Sequence, residues 1–84
     1  MMTRDVTVLF AGSAEASPIA LLVQKANAFS SSIHIEMQDI KVNVKSIMGM
    51  MSLAMTNGER VRLVADGTDE QQALDELQAF LEKR

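Results

Sequence analysis

"SIHIEMQDIKVNVKSIMGMM", residues 32–51, holds the pattern from which the fold can be read. Its opening residues alternate, with Ile33 and Ile35 on one side and His34 between them, which is the period of a strand with one buried face. His34 is therefore expected to point to solvent. Gln38-Asp39 makes a tight connection into "IKVNV" (40–44), so a hairpin is expected there. Next comes a short helix over residues 46–53, capped by Ser46 or its neighbour. In about two turns, Ile47, Met48, Met50, Met51 and Leu53 cannot all face a sheet, because one face of so short a helix holds two or three residues. Taking Met50 and Leu53 as core leaves Ile47, Met48 and Met51 outward. Methionine re-packs against different shapes at little cost, which suits a surface that meets several partners.

Outward from this stretch the same periods recur. "DVTVLF" (5–10) alternates Val6, Val8 and Phe10 with Thr7 and Leu9, as a strand does. Ser17 before Pro18 is a helix start, because serine accepts from an early backbone N–H and proline needs no donor in the first turn. Ile19, Leu22, Val23 and Ala26 follow at helical spacing. Asn57-Gly58 signals a turn, "RVRLVA" (60–65) a fourth strand and Asp66-Gly67 another turn. A last helix starts between Thr68 and Glu70. Thr68 with Gln71, or Asp69 with Gln72, fits a capping box, and Leu74, Leu77, Phe80 and Leu81 form its buried stripe. The order is β-α-β-β-α-β-α. A sheet with one apolar face needs its helices laid on that face, which predicts an open-faced α/β sandwich over residues 1–84 as a single domain.

Composition narrows the function classes. A chain of 84 residues buries only about 60% of the surface it exposes when unfolded, so one small core is expected. Apolar runs fall well short of the roughly 20 residues that cross a bilayer, no signal peptide is apparent, and a cytoplasmic protein is expected. Without cysteine, and with one histidine, the sequence offers no thiolate chemistry and no histidine-based metal cluster. Net charge −3 and three phenylalanines as the only aromatics argue against direct nucleic-acid binding.

"KVNVKSIMGMMSLA" (41–54) resembles the region of the HPr phosphocarrier family that carries a regulatory serine. "SPIALLVQKANAFSSSIHI" (17–35) is similar to that family's first helix and second strand, and "GTDEQQALDELQAFL" (67–81) to its final helix. The resemblance spans nearly the whole chain. It implies an antiparallel four-stranded sheet in the order 1-4-2-3 with three helices on one face, which the periodicities permit but do not choose. The family's phosphocarrier motif reads Gly-x-His-Ala-Arg-Pro-Ala. Alignment on Pro18 puts Glu15 at the phosphohistidine and Ser17 at the arginine, with Ser13 for the first glycine, Ile19 for the final alanine, and only Ala16 and Pro18 kept. Phosphoryl transfer there needs a neutral ring nitrogen and a nearby cation, and Glu15 and Ser17 supply neither.

The resemblance therefore points to a Crh-like branch of the family that lacks the catalytic histidine: a non-enzymatic, cofactor-free regulatory protein of carbon catabolite control. It implies that an HPr kinase/phosphorylase modifies Ser46, and that a LacI-type catabolite control regulator binds the phosphorylated form. The implied contact residues are Ala16, Ser17, Ala20, Leu21 and Gln24 at the first helix, with Lys45, Ile47, Met48, Gly49 and Met51 around Ser46. The other reading is a phosphotransferase relay, with Glu15 as an unusual acceptor or with the domain occupying the docking surface of enzyme I.

Overall fold

Buried and more open side chains alternate along residues 32–37 of the computed structural model, which describes residues 1–9, 18–53 and 58–82. The strands are β1 (Met2–Thr7), β2 (Ser32–Met37), β3 (Ile40–Asn43) and β4 (Arg60–Asp66), and the helices are α1 (Pro18–Asn27), α2 (Ile47–Met51) and α3 (Glu70–Leu81). Every strand pair is antiparallel, and the sheet order is β1-β4-β2-β3. Three helices cover one face. Val6, Ile33, Ile35, Val61, Leu63 and Ala65 point into that layer and meet Leu22, Ala26, Met50, Leu74, Leu77 and Leu81 from the helices. Each fully buried Leu or Val contributes about 1.5–3 kcal/mol of transfer free energy, so this layer is the main source of stability.

The hairpin at Gln38-Asp39 forms, with Gln38 in the left-handed region at φ 57° and Met37 paired with Ile40. Strand β1 starts earlier than its alternation predicts, at Met2. The reason is Arg4, whose guanidinium lies on the helix side of the sheet and is satisfied there by Asp75 and by Gln78 of α3, 3.2 Å away. A charged residue thus occupies a core-facing position that reads as loop in sequence. Val8 is buried as expected, Leu9 is partly exposed, and Phe10 lies outside the described residues.

On the open face, Asp5 accepts from Arg62 across the β1–β4 pair at 3.2 Å, and Thr7 accepts from Arg60 at 3.0 Å. His34 sits in the next row, opposite Val64 on one side and Asn43 on the other, and is half-buried rather than free in solvent. Val64 is buried although it lies on the face that carries no helix.

Helix α3 departs from its expected capping box. Asp69 is the N-cap residue, yet its side chain makes no bond to its own helix. Its carboxylate accepts instead from the Ser30 N–H at 2.9 Å, the Ser31 N–H at 3.0 Å and the Ser31 hydroxyl, at the entry to β2. Hydrogen bonding to Ser31 first, and to the Ser30 backbone second, holds that carboxyl down to about 2. Glu70 reaches back in its place and accepts from Gly67 N–H at 3.1 Å. Phe80, expected in the buried stripe, is half-buried, with the Lys25 ammonium 5.6 Å from its ring centre; Ala73 takes the inner position instead.

Candidate functional site

Chain direction reverses sharply after β3, and five hydrogen bonds fix where Ser46 ends up. Val44 is buried and donates its N–H to Ile33 at 3.0 Å, which anchors the end of the strand. Asn43 then folds over the turn: its side-chain oxygen accepts from Lys45 N–H at 2.9 Å and its carbonyl from Ser46 N–H at 3.0 Å. From the side of α1, Asn27 donates to the Lys45 carbonyl at 3.4 Å, and the Lys45 ammonium donates to the Phe29 carbonyl at 2.6 Å. The lysine charge thus lies at the carboxyl end of α1, where it complements the helix dipole. Sequence reading did not find the part played by Asn27; an asparagine closing a helix was the only signal.

Ser46 itself is extended (φ −101°, ψ 112°) and half-buried, and its Oγ accepts from Gly49 N–H at 3.2 Å. Its carbonyl accepts from Met50 N–H at 3.0 Å and begins the helix. The helix occupies residues 47–51, shorter at both ends than the expected 46–53, because Ser46 is the cap and Ser52 closes the other end with its hydroxyl on the Gly49 carbonyl at 2.7 Å. Gly49 is tightly packed: a Cβ there would lie 2.9 Å from Val42 Cγ1 and 3.4 Å from Ser46 Oγ, so the Val42 side chain would have to shift to admit one. That glycine lets α2 sit close on β3 and leaves the serine oxygen uncrowded.

The two faces of α2 separate cleanly. Met50 is fully buried and Leu53 nearly so, whereas Met48 is 82% and Met51 72% exposed. Ile47 is exposed to a lesser degree. Helix α2 packs against α1, and on α1 Ala20, Leu21 and Gln24 are all exposed. Glu15, Ala16 and Ser17 lie outside the described residues. The chain's single histidine, His34, is in β2 on the opposite face of the sheet, and no cluster of metal-binding side chains occurs among the described residues. A shallow depression on that opposite face is bordered by Asp5, Glu36, Arg60 and Arg62; Arg62 bonds Asp5 and Arg60 bonds Thr7. No described helix is long and apolar enough to cross a membrane.

Comparison with known proteins agrees with this fold. Residues 2–83 match the family model described as the PTS HPr component phosphorylation site. The chain is 48% identical over 83 residues to the HPr-like protein Crh of Halalkalibacterium halodurans, covering 99% of each. Among solved structures it is similar to the phosphocarrier protein HPr of Bacillus anthracis, with a TM-score of 0.88 at 40% identity over 95% of both chains. It is also similar to the catabolite repression protein Crh of Bacillus subtilis, described as a swapped dimer, with a TM-score of 0.76 at 47% identity over 93% of this chain and 84% of that one.

Proposed function

The chain belongs to the PTS HPr family, and on that premise we propose that it is a regulatory member of the phosphotransferase and catabolite repression system, switched by phosphorylation of Ser46 and acting through protein contacts. The observation that carries this reading is the pairing of exposed Met48 and Met51 with buried Met50 on a helix that begins at Ser46. The apolar cluster supplies contact area, and the serine at its edge supplies the switch.

An HPr kinase/phosphorylase places a phosphoryl group on Ser46 Oγ. The single bond that Oγ accepts from Gly49 is long, so little is lost when the oxygen is esterified. The phosphate carries about −1.5 to −2 charges at neutral pH, close to backbone N–H groups of the first turn that have no intrahelical partner. Surface charge changes while Met50 and Leu53 keep the helix in place. A LacI-type catabolite control regulator with an arginine or lysine facing this point gains charge-assisted hydrogen bonds, and its apolar side chains close on Met48 and Met51. Ser17, standing where the family carries arginine, leaves this chain without the cation that the family motif supplies and shifts the weight of recognition to α2. Glu15 has no role as a phosphoryl acceptor in this reading, because the sequence places no lysine or arginine next to it to stabilise a transferring phosphoryl group.

Calorimetric titration of the phosphorylated and unphosphorylated protein against such a regulator from the same organism tests the proposal. Binding is expected for the phosphorylated form alone, weakening with salt because a partly exposed charge pair is screened over about 8–10 Å, and absent for Ser46→Ala. Equal affinity of the two forms defeats the switch. Incubation with phosphoenolpyruvate and enzyme I gives the opposing arm: a phosphoryl group gained at Glu15 restores the relay.

A further inference from the structure

The same two methionines that are exposed for docking are exposed to oxidants, and we propose that Met48 and Met51 form a reversible oxidation site that switches the docking surface off. This inference rests on the docking reading above and adds a second input to it. Of the methionines on α2, the structure leaves two open and closes the third: Met48 and Met51 are 82% and 72% exposed, and Met50 has no exposure at all. Met37, at the end of β2, is 9% exposed. Thioether oxidation follows exposure, so the helix carries its own internal control.

The chemistry needs only a peroxide of the hydrogen peroxide class. The methionine sulfur attacks one peroxide oxygen, the O–O bond breaks, and that oxygen is transferred. Sulfur is oxidised by two electrons to the sulfoxide, and the peroxide is reduced to water. A sulfoxide is a strong hydrogen-bond acceptor with no proton to donate. At the centre of an apolar contact it brings in a polar oxygen that must be buried without a partner, which opposes docking. The fold is insulated from the change, because the residues holding α2 on the sheet are Met50 and Leu53 and neither is accessible. Ser46 keeps its bond to Gly49 and stays open to phosphorylation. The oxidised protein is thus expected to be folded and modified on serine, yet unable to dock.

The test treats the intact phosphorylated protein with dilute hydrogen peroxide and follows three readouts. Fragment-ion mass spectrometry of the tryptic peptide 46–60 should place oxygen on Met48 and Met51 roughly tenfold or more faster than on Met50, in line with their exposure. Thermal melting should stay unchanged while affinity for the regulator falls by about tenfold or more, the loss typical of a central interface contact. Treatment with the two methionine sulfoxide reductases should restore that affinity, and in Met48→Leu/Met51→Leu whatever affinity is measured should no longer respond to peroxide. Oxidation of Met50 as fast as Met48, or unchanged affinity after both exposed residues are oxidised, overturns the proposal. Failure of the unoxidised phosphoprotein to bind refutes the docking reading and the off-switch together, and the order of oxidation, read without any partner, separates that outcome from a failure of the chemistry.

Discussion

Ser46 and Asp69 both stand at the N-cap of a helix, but only Ser46 turns its side chain back on its own helix. Its bond reaches Gly49, three residues along, and can be given up locally. Asp69 reaches across 38 positions to Ser31, which is almost completely buried, and so ties the start of α3 to the start of β2. Gly67 completes that clasp, because a Cβ at this position would lie 2.7 Å from the Ser31 Cα. A cap that serves only its helix can be chemically modified without touching the rest of the fold. One that joins two distant segments cannot. The region around α2 is built in the first way, and the clasp in the second.

The largest expected effect tests whether α2 really has two faces. Met50→Ala should lower unfolding free energy by about 2–5 kcal/mol, since it empties a fully buried site. Met51→Ala, one residue on, should change it by no more than about 0.5 kcal/mol, as surface substitutions do. Urea denaturation of the two variants reads both numbers, and similar losses would erase the distinction on which docking rests.

A second pair of variants compares the glycines of the two regions. Gly67→Ala meets backbone and should cost about 2–3 kcal/mol, the scale of enforced backbone strain. Gly49→Ala meets chiefly the Val42 side chain, which can turn away, and gains helix propensity of about 1 kcal/mol in return, so its net effect should stay within about 1 kcal/mol. Equal costs in thermal melts would mean that α2 is locked as firmly as the clasp.

The third effect is confined to acid. Folding lowers the Asp69 carboxyl from 3.8 to about 2, so the unfolded chain binds its proton first and the ionised clasp favours the native state. Its contribution is complete above about pH 4 and is lost as pH falls towards 2, through the folded value. Asp69→Asn removes the charge and keeps one acceptor oxygen. The stability gap between wild type and this variant, measured by denaturation from pH 6 to pH 2, should be constant at the upper end and close at the lower. A gap that persists unchanged at pH 2 would show that the carboxylate charge is not what holds Ser31.

Short-range physics accounts for what the sequence makes legible. Alternation in residues 32–44 and helical spacing in 19–26 and 74–81 place the elements, and counting apolar positions on α2 predicts Met48 and Met51 outside with Met50 and Leu53 inside, as found. Strand order is not written in any period; it follows from which backbones pair, and family resemblance alone supplied it in advance. Arg4 hid the start of β1, because a charge on the helix side reads as loop until Asp75 and Gln78 are seen beside it. The capping box failed for the same reason: Thr68, Asp69, Gln71 and Gln72 fit it locally, but two serines 38 and 39 positions away offer Asp69 three donors, and the tertiary contact wins.

The smallest expected effect decides whether Ser46 can act as a switch at all. Its hydroxyl oxygen makes one long bond to Gly49, so Ser46→Ala should cost no more than about 1 kcal/mol, the value of an ordinary N-cap. Aspartate caps as well as serine does, so Ser46→Asp should recover that loss while adding a charge next to the first turn. If both melting temperatures lie close to wild type, any difference in partner binding between these variants reports charge and not folding. If Ser46→Ala instead destabilises as much as Met50→Ala, the serine is part of the core support of α2. A phosphate added there would then unfold the surface it is meant to switch.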